Sequence, residues 1–332
     1  MDKTVLTIVG LGQIGASIGL ALEPHREQLQ RIGHTRNYGE GNRAKELGAV
    51  DKVVVNLPSA VEKADIVLLA LPVNELKAVL KLIDPELKEG AVVLDTSPAR
   101  HGAMAWAEEL LSHDNYYVGF TPVLGPGALK NLEGGLEHAS ADLFRGGMFA
   151  ISSQMGVSSA ALKVAADLAT MVGAAPLFAD AAEVDSYMSR THLLPQVLAA
   201  CLVNVAQGSP GWNENRKLAG RSYAVISSLV SGVDNSAAVA LASSLNKESM
   251  LRLLDELLEE LESMRADLAE DHDTDFAKRV QEADGRHKEW WNERRVAKWL
   301  TDQIADVDIR EAGNPNLQLF GFGRPARKKR DQ

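Results

Sequence analysis

Two rhythms of apolar residues divide the chain. Residues 5–9, 52–55, 66–70, 91–94, 116–120 and 148–152 are short, β-branched, near-continuous apolar runs separated by helical patterns. Strands of that kind are buried on both faces, as in a parallel sheet covered by helices, so the first half reads as a doubly wound α/β domain. After a last strand-like run at 176–179, no alternation continues. From Glu183 onward only helical periodicities remain, which predicts a boundary near residue 180 and an all-helical second domain over 181–306.

The clearest helix follows Asn246, a candidate N-cap. Met250, Leu254, Leu257, Leu261, Met264 and Leu268 recur at intervals of four and three, and Leu251, Leu253 and Leu258 widen the stripe. Phe276, Val280, Ala283, His287 and Trp290 repeat that spacing. Such faces must pack on something, and a homodimer through the C-terminal helices is expected, with an intramolecular bundle as the alternative. The tail at 307–332 ends in Arg324, Arg327, Lys328, Lys329 and Arg330 with little apolar content, so a solvated, disordered end is expected.

Composition narrows the class of protein. The 332 residues suffice for about two domains, and 45% hydrophobic with 24% charged residues is ordinary for a globular protein. A formal charge of −10 disfavours nucleic acid as a partner. The N-terminus lacks a secretory pattern and no apolar run reaches the roughly 18 residues that span a bilayer, so a cytoplasmic protein without a membrane partner is expected. Cys201, the one cysteine, excludes an internal disulfide and a thiolate zinc site, and its apolar surroundings predict a buried packing role. No metal site is expected.

Chemistry enters at Gly10-Leu11-Gly12-Gln13-Ile14-Gly15, a G-x-G-x-x-G that follows a strand and opens a helix. Gly10 permits the turn, Gly12 lets backbone approach a pyrophosphate, Gly15 allows close helix packing, and the helix N-terminus offers free N–H groups to phosphates. The next strand, at 31–35, ends in His34-Thr35-Arg36-Asn37 without the carboxylate that holds the ribose 2′-hydroxyl of NAD. Thr35 and Arg36 suit a 2′-phosphate, so NADP is expected, with NAD as the alternative. Leu71 and Pro72, at the carboxyl end of the fourth strand, are expected to line the same cofactor.

At this point the chain resembles the prephenate and arogenate dehydrogenases of tyrosine biosynthesis. The blocks GLGQIGASIGLAL, ADIVLLALPV, LKEGAVVLDTSPAR, YYVGFTPVLGPG, DLFRGGMFAIS and EVDSYMSRTHLLPQVLAACLV carry the likeness. It implies an N-terminal nucleotide-binding domain, a helical dimerising domain and an active site in the cleft between them. There a hydride would pass to NAD(P)+ as the ring carboxylate leaves as carbon dioxide and the ring becomes aromatic. The chain departs from the family pattern at several positions. Thr121 replaces the histidine of a His-Pro-Met block, and Pro98, beside Ser97 and Thr96, replaces a serine. The family's Ser-His-Leu-Pro-His becomes His192-Leu193-Leu194-Pro195-Gln196, and its Phe-Arg-Asp becomes Tyr223-Ala224-Val225, with Ser228 where a substrate-binding arginine would stand. Asp185 matches an acidic position of the family.

With Thr121 unable to act as a base near neutral pH, His192 is the first candidate proton acceptor, aimed into the cleft by a kink at Pro195. A histidine packed on a helix face is the plainer reading, and His101 is the rival. Thr121 and Ser97 are the further catalytic candidates; Arg100, Gln196 and Asp185 are the candidates for holding substrate. Two other outcomes fit the departures: a dehydrogenase or reductase for another small carboxylated hydroxy, keto or imino compound, and a dinucleotide-binding sensor without catalysis.

Overall fold

The structure, a computed structural model, describes residues 3–131, 133–231 and 234–296. The boundary at 306 and the tail at 307–332 lie outside the described residues. Eight strands form one sheet: β1 (Thr4–Val9), β2 (Leu29–His34), β3 (Lys52–Val53), β4 (Ile66–Leu69), β5 (Val92–Asp95), β6 (Tyr116–Val123), β7 (Met148–Ser152) and β8 (Ala175–Phe178). Their spatial order is β3-β2-β1-β4-β5-β6-β7-β8. All neighbours are parallel except β6 and β7, which pair antiparallel, with Thr121 opposite Ala150. The doubly wound parallel sheet expected from the sequence is thus present, with one antiparallel pair within it. A loop rather than a crossover helix joins β6 to β7, and a direct return reverses the strand.

Helices α1 (Gln13–Ala21), α2 (Tyr38–Glu46) and α6 (Ser159–Met171) cover one face of the sheet. The other is covered by α3 (Leu57–Val61), α4 (Val73–Ile83) and α5 (Arg100–Leu110). β4 shows why its run is continuous. Ile66 and Leu68 enter the core under α1, while Val67 and Leu69 enter the core under α4 and α5. Arg31 on β2 is buried, yet its guanidinium is satisfied by Asp51 Oδ1 at 2.6 Å and by the carbonyls of Gly19 and Gly48.

The change of rhythm near residue 180 coincides with a capping box. Asp180 accepts from Glu183 N, and the Glu183 side chain returns to Asp180 N. From there the described chain is helical: α7 (Ala181–Met188), a π turn (Ser189–Leu193), α8 (Leu194–Gln207), α9 (Trp212–Asn215), α10 (Arg221–Ser227), α11 (Ser236–Leu245), α12 (Lys247–Ala269) and α13 (Asp273–Val296). Asn246 precedes α12 as expected, but its side chain makes no cap bond, and both of its polar atoms are buried without a partner. Among the described residues no helix is long and apolar enough to cross a membrane.

A small third core joins the two halves. Leu193, Ala238, Ala242 and Met250 pack on Val73 and Ala99, the residues that open α4 and α5. The helical half therefore sits on the carboxyl edge of the sheet, where open α/β folds bind ligands.

Candidate functional site

The glycine-rich turn carries three different constraints. Gly10 has φ +97°, and a Cβ there would lie 2.2 Å from the Ala70 carbonyl oxygen, so neither the backbone nor the space admits a side chain. A Cβ on Gly15 would lie 2.0 Å from the Gly10 carbonyl oxygen, which sets how closely α1 meets β1. Around Gly12 nothing lies within 4 Å of a Cβ position. That open space in front of the N-terminus of α1 fits a pyrophosphate. Ile14 packs on the core beneath. Gln13 turns elsewhere, its amide donating to the carbonyls of Glu133 and His138 on the loop after β6. The Gln13 side chain thus tethers that loop to the start of α1.

From this turn a cleft of about 570 Å³ runs between the ends of β1, β2 and β4, and Thr35, Arg36, Leu71 and Pro72 line it together. Asn37 caps α2, accepting from Gly39 N and Glu40 N. His34 is buried at the cleft wall. A carbonyl can only accept, so His34 Nδ1 carries the proton and donates to Val54 O at 3.0 Å. Burial, helped by the Arg36 charge, holds its pKa below the ordinary histidine value against that bond. Two carboxylates that the strand-end reading missed also reach the cleft. Glu75 pairs with the exposed Arg36 at 2.9 Å, and Glu40 accepts weakly from Thr35 at 3.5 Å. They stand on α4 and α2, and spacing along β2 carries no signal of them.

Under the carboxyl ends of β5 and β6 lies a buried polar network. Asp95 accepts from Ser97 N, from Ser97 Oγ at 2.9 Å and from Tyr117 Oη at 2.6 Å, and it pairs with Arg100. Arg100 also donates to the carbonyls of Asp95 and Ser97 and to Ser97 Oγ. Thr121 Oγ1 donates to Ser97 O at 3.2 Å. Burial opposes the charge on Arg100, but Asp95 and Tyr117 outweigh it and keep the guanidinium pKa above its ordinary value. Burial likewise pushes the Tyr117 hydroxyl well above its usual range. These contacts correct three expectations. Arg100 is fully enclosed and tied to its own domain, so it presents no fork to a substrate carboxylate. Ser97 and Thr121 are buried, and their hydroxyls are engaged within the network.

Asp185 is corrected in the same way. It stands on α7 and accepts from the backbone N–H groups of Arg100 at 2.5 Å and His101 at 3.0 Å, capping α5 from the other half of the chain. Burial pushes its pKa up, partly offset by those two bonds and by the Arg100 charge. His101, 3.7 Å from Asp185, leaves its ring largely exposed. Cys201 is exposed on α8 rather than buried, because no described part of the chain covers that face.

The kink expected at Pro195 takes the form of the π turn. Proline lacks an N–H and its ring clashes with the carbonyl four residues back; a wider turn accommodates both. His192 stands on it, with Nε2 2.6 Å from Asp234 Oδ2. Gln196, buried one turn on, donates to His192 O at 3.0 Å and to Asp234 Oδ2 at 3.3 Å. Its contacts are thus internal, although Oε1 is buried without a partner. Asp234 was not legible in the sequence: it is 42 residues from His192, and no spacing rule joins them. Among the described residues no cluster of three or more His, Cys, Asp or Glu could hold a metal ion.

Residues 18–179 match the family model of the prephenate dehydrogenase nucleotide-binding domain. Over that stretch the chain is similar to the nucleotide-binding domain of prephenate dehydrogenases. Prephenate dehydrogenase of Lactococcus lactis subsp. cremoris is 27% identical over 200 residues, 60% of this chain and 52% of that protein. Cyclohexadienyl dehydrogenase of Zymomonas mobilis subsp. mobilis is 24% identical over 203 residues, 61% of this chain and 67% of that protein. The chain thus spans about half the length of the Lactococcus protein. In fold it is similar to Aquifex aeolicus prephenate dehydrogenase, solved with hydroxyphenyl propionate and NAD+. That likeness has a TM-score of 0.74 at 18% identity and covers 87% of this chain and 99% of that one. The fold of a prephenate dehydrogenase therefore extends through the helical half as well.

Proposed function

We propose that this chain is an NADP-dependent dehydrogenase that acts on a small hydroxylated carboxylate of the cyclohexadienyl class, prephenate or arogenate. The observation that carries the reading is the open space at Gly12 before α1, framed by Gly10 and Gly15 and continuous with the Thr35–Pro72 cleft. When bound, the nicotinamide supplies a two-electron hydride acceptor. Gly12 and the N-terminus of α1 hold the pyrophosphate, and Leu71 and Pro72 form the wall beside it. Thr35 and Arg36 hold the 2′-phosphate. The Arg36–Glu75 pair is solvent-exposed and weak, so the guanidinium is free to turn to a phosphate. The network of Asp95, Ser97, Arg100 and Thr121 orders the carboxyl ends of β5 and β6. His192 takes or polarises the substrate hydroxyl proton.

A second reading for the cofactor, NAD, is favoured by Glu40 and Glu75, since either carboxylate could accept a ribose 2′-hydroxyl. Calorimetric titration with NADPH and NADH separates the two. We expect NADPH to bind at least about tenfold more tightly and Arg36→Ala to remove most of that preference. An unchanged preference in Arg36→Ala returns the adenosine site to NAD. Oxidation of prephenate or arogenate with NADP+ tests the activity. Turnover of a different hydroxy acid alone would move the substrate, and no turnover with retained binding would make the protein a sensor.

The reading includes a homodimer. Leu198, Cys201 and Val205 on α8, and Leu251, Leu258, Leu261 and Leu268 on α12, are exposed, and a second copy is the simplest cover for them.

A further inference from the structure

The dehydrogenase reading needs a proton acceptor near the substrate hydroxyl but does not say what makes a histidine on a helix fit for that task. The neighbouring hydroxyls cannot serve, since those of Ser97 and Thr121 are buried and engaged. His34 belongs to the adenosine end of the cleft. His192 is placed differently. The next residue, Leu193, is fully buried against Val73 and Ala99, so the π turn rests on the sheet edge that carries the cofactor turn. π turns widen a helix locally and re-aim the side chains they carry.

What faces the imidazole is specific. Asp234 lies just before α11, whose first turn is capped by Asn235, its side-chain oxygen accepting from Ala238 N–H, so the carboxylate is held at a fixed helix start. Burial works to raise the Asp234 carboxyl, but the bond and charge of His192, with the bond from Gln196, outweigh it and hold it below the usual range. An ionised carboxylate has no proton to donate, so Nε2 carries the proton in the 2.6 Å bond. Gln196 fixes both partners, donating to the His192 carbonyl and to Asp234. Of the charged groups on the packed elements, Arg190 of the same turn is held by Glu256 of α12, and Asp185 of α7 is held by the start of α5. Asp234 is the charge that faces the ring.

From this geometry we infer that Asp234 is a positioning residue. It locks His192 in the Nε2–H tautomer and leaves the Nδ1 lone pair to draw the proton from the substrate hydroxyl. The inference rests on the dehydrogenase reading for its substrate, but the tautomer it requires belongs to the protein alone. In the step itself the substrate O–H bond gives its proton to Nδ1, and the hydride leaves the carbon that bears that oxygen for the nicotinamide dinucleotide.

Two measurements on the full chain test it. Nitrogen NMR of histidine-labelled protein should show His192, assigned by its loss in His192→Ala, as the Nε2–H tautomer; Asp234→Asn should lose that fixed tautomer. Steady-state oxidation of prephenate and arogenate should show kcat lowered about 10²- to 10⁴-fold in Asp234→Asn, as for a histidine base left in the wrong tautomer. Dinucleotide affinity should be unchanged, Asp234→Glu should recover part of the rate, and the His192→Ala/Asp234→Asn double variant should be no slower than His192→Ala. A wild-type His192 protonated at Nδ1, or Asp234→Asn turning over at the wild-type rate, overturns the inference while the dehydrogenase stands. If neither substrate is oxidised, the substrate reading falls, and the nitrogen spectrum alone decides whether Asp234 sets the tautomer.

Discussion

The sheet-bearing half closes its cores on itself, whereas the helical half does not. On the two faces of the sheet, strands and helices bury Leu, Ile, Val and Phe side chains almost completely, down to the stacked pair Phe120–Phe149. In the helical half, α8 buries only Gln196 and Ala199, and α12 only Met250, Leu253 and Asp267. One half is shaped by its own packing, while the other leaves apolar faces exposed. The polar residues follow the same division. Those of the first half, Arg31 and Arg100 above all, are enclosed and tied to neighbouring carboxylates and carbonyls, while the His192–Asp234 pair stays half-exposed beside the joint between the halves.

The comparison can be broken most sharply at Gly12. Because nothing lies near a Cβ there, Gly12→Val should leave thermal unfolding nearly unchanged while lowering NADPH affinity more than about 100-fold by calorimetry. A loss of fold with the affinity would mean that the space serves packing instead. In the other half, Leu258→Glu combined with Leu261→Glu should dissociate the proposed dimer in analytical ultracentrifugation, raising its dissociation constant at least about tenfold. A dimer of unchanged strength would send the interface to another face. The smallest effect is expected at Gly119, where a Cβ would come within 2.4 Å of Ser152 Oγ and 2.6 Å of Arg100 Nη1. Gly119→Ala should cost about 1–3 kcal/mol in urea unfolding through overpacking. An unchanged midpoint would show that the buried network has slack.

Much of the first half was legible because its signals are local. The runs at 66–70 and 148–152 differ from β4 and β7 by no more than a residue, and the glycine spacing named the turn. The antiparallel β7 was hidden, since an apolar run of that length has no direction. Cys201 was misjudged for a related reason. Its apolar neighbours say that something covers the helix, but not that it lies within the same described chain.

The site residues divide along the same line. Gly10 and Gly15 were readable because backbone conformation is written residue by residue, and a positive φ or a forbidden Cβ points to glycine wherever it occurs, while Gly12 was readable from its spacing to those two. Arg100 and Asp185 were misread because charge alone does not tell a ligand-binding side chain from one spent inside the protein. The sequence by itself determined the order of elements, the glycine-rich turn after β1 and the change of rhythm near residue 180, all of which depend on short-range sterics and periodicity. Only the tertiary structure decided that Asp185 caps a helix of the other half, that Glu40 and Glu75 share the cleft with Thr35 and Arg36, and that Asp234 meets His192. Those pairings are made by long-range packing, which brings together residues that no local pattern connects.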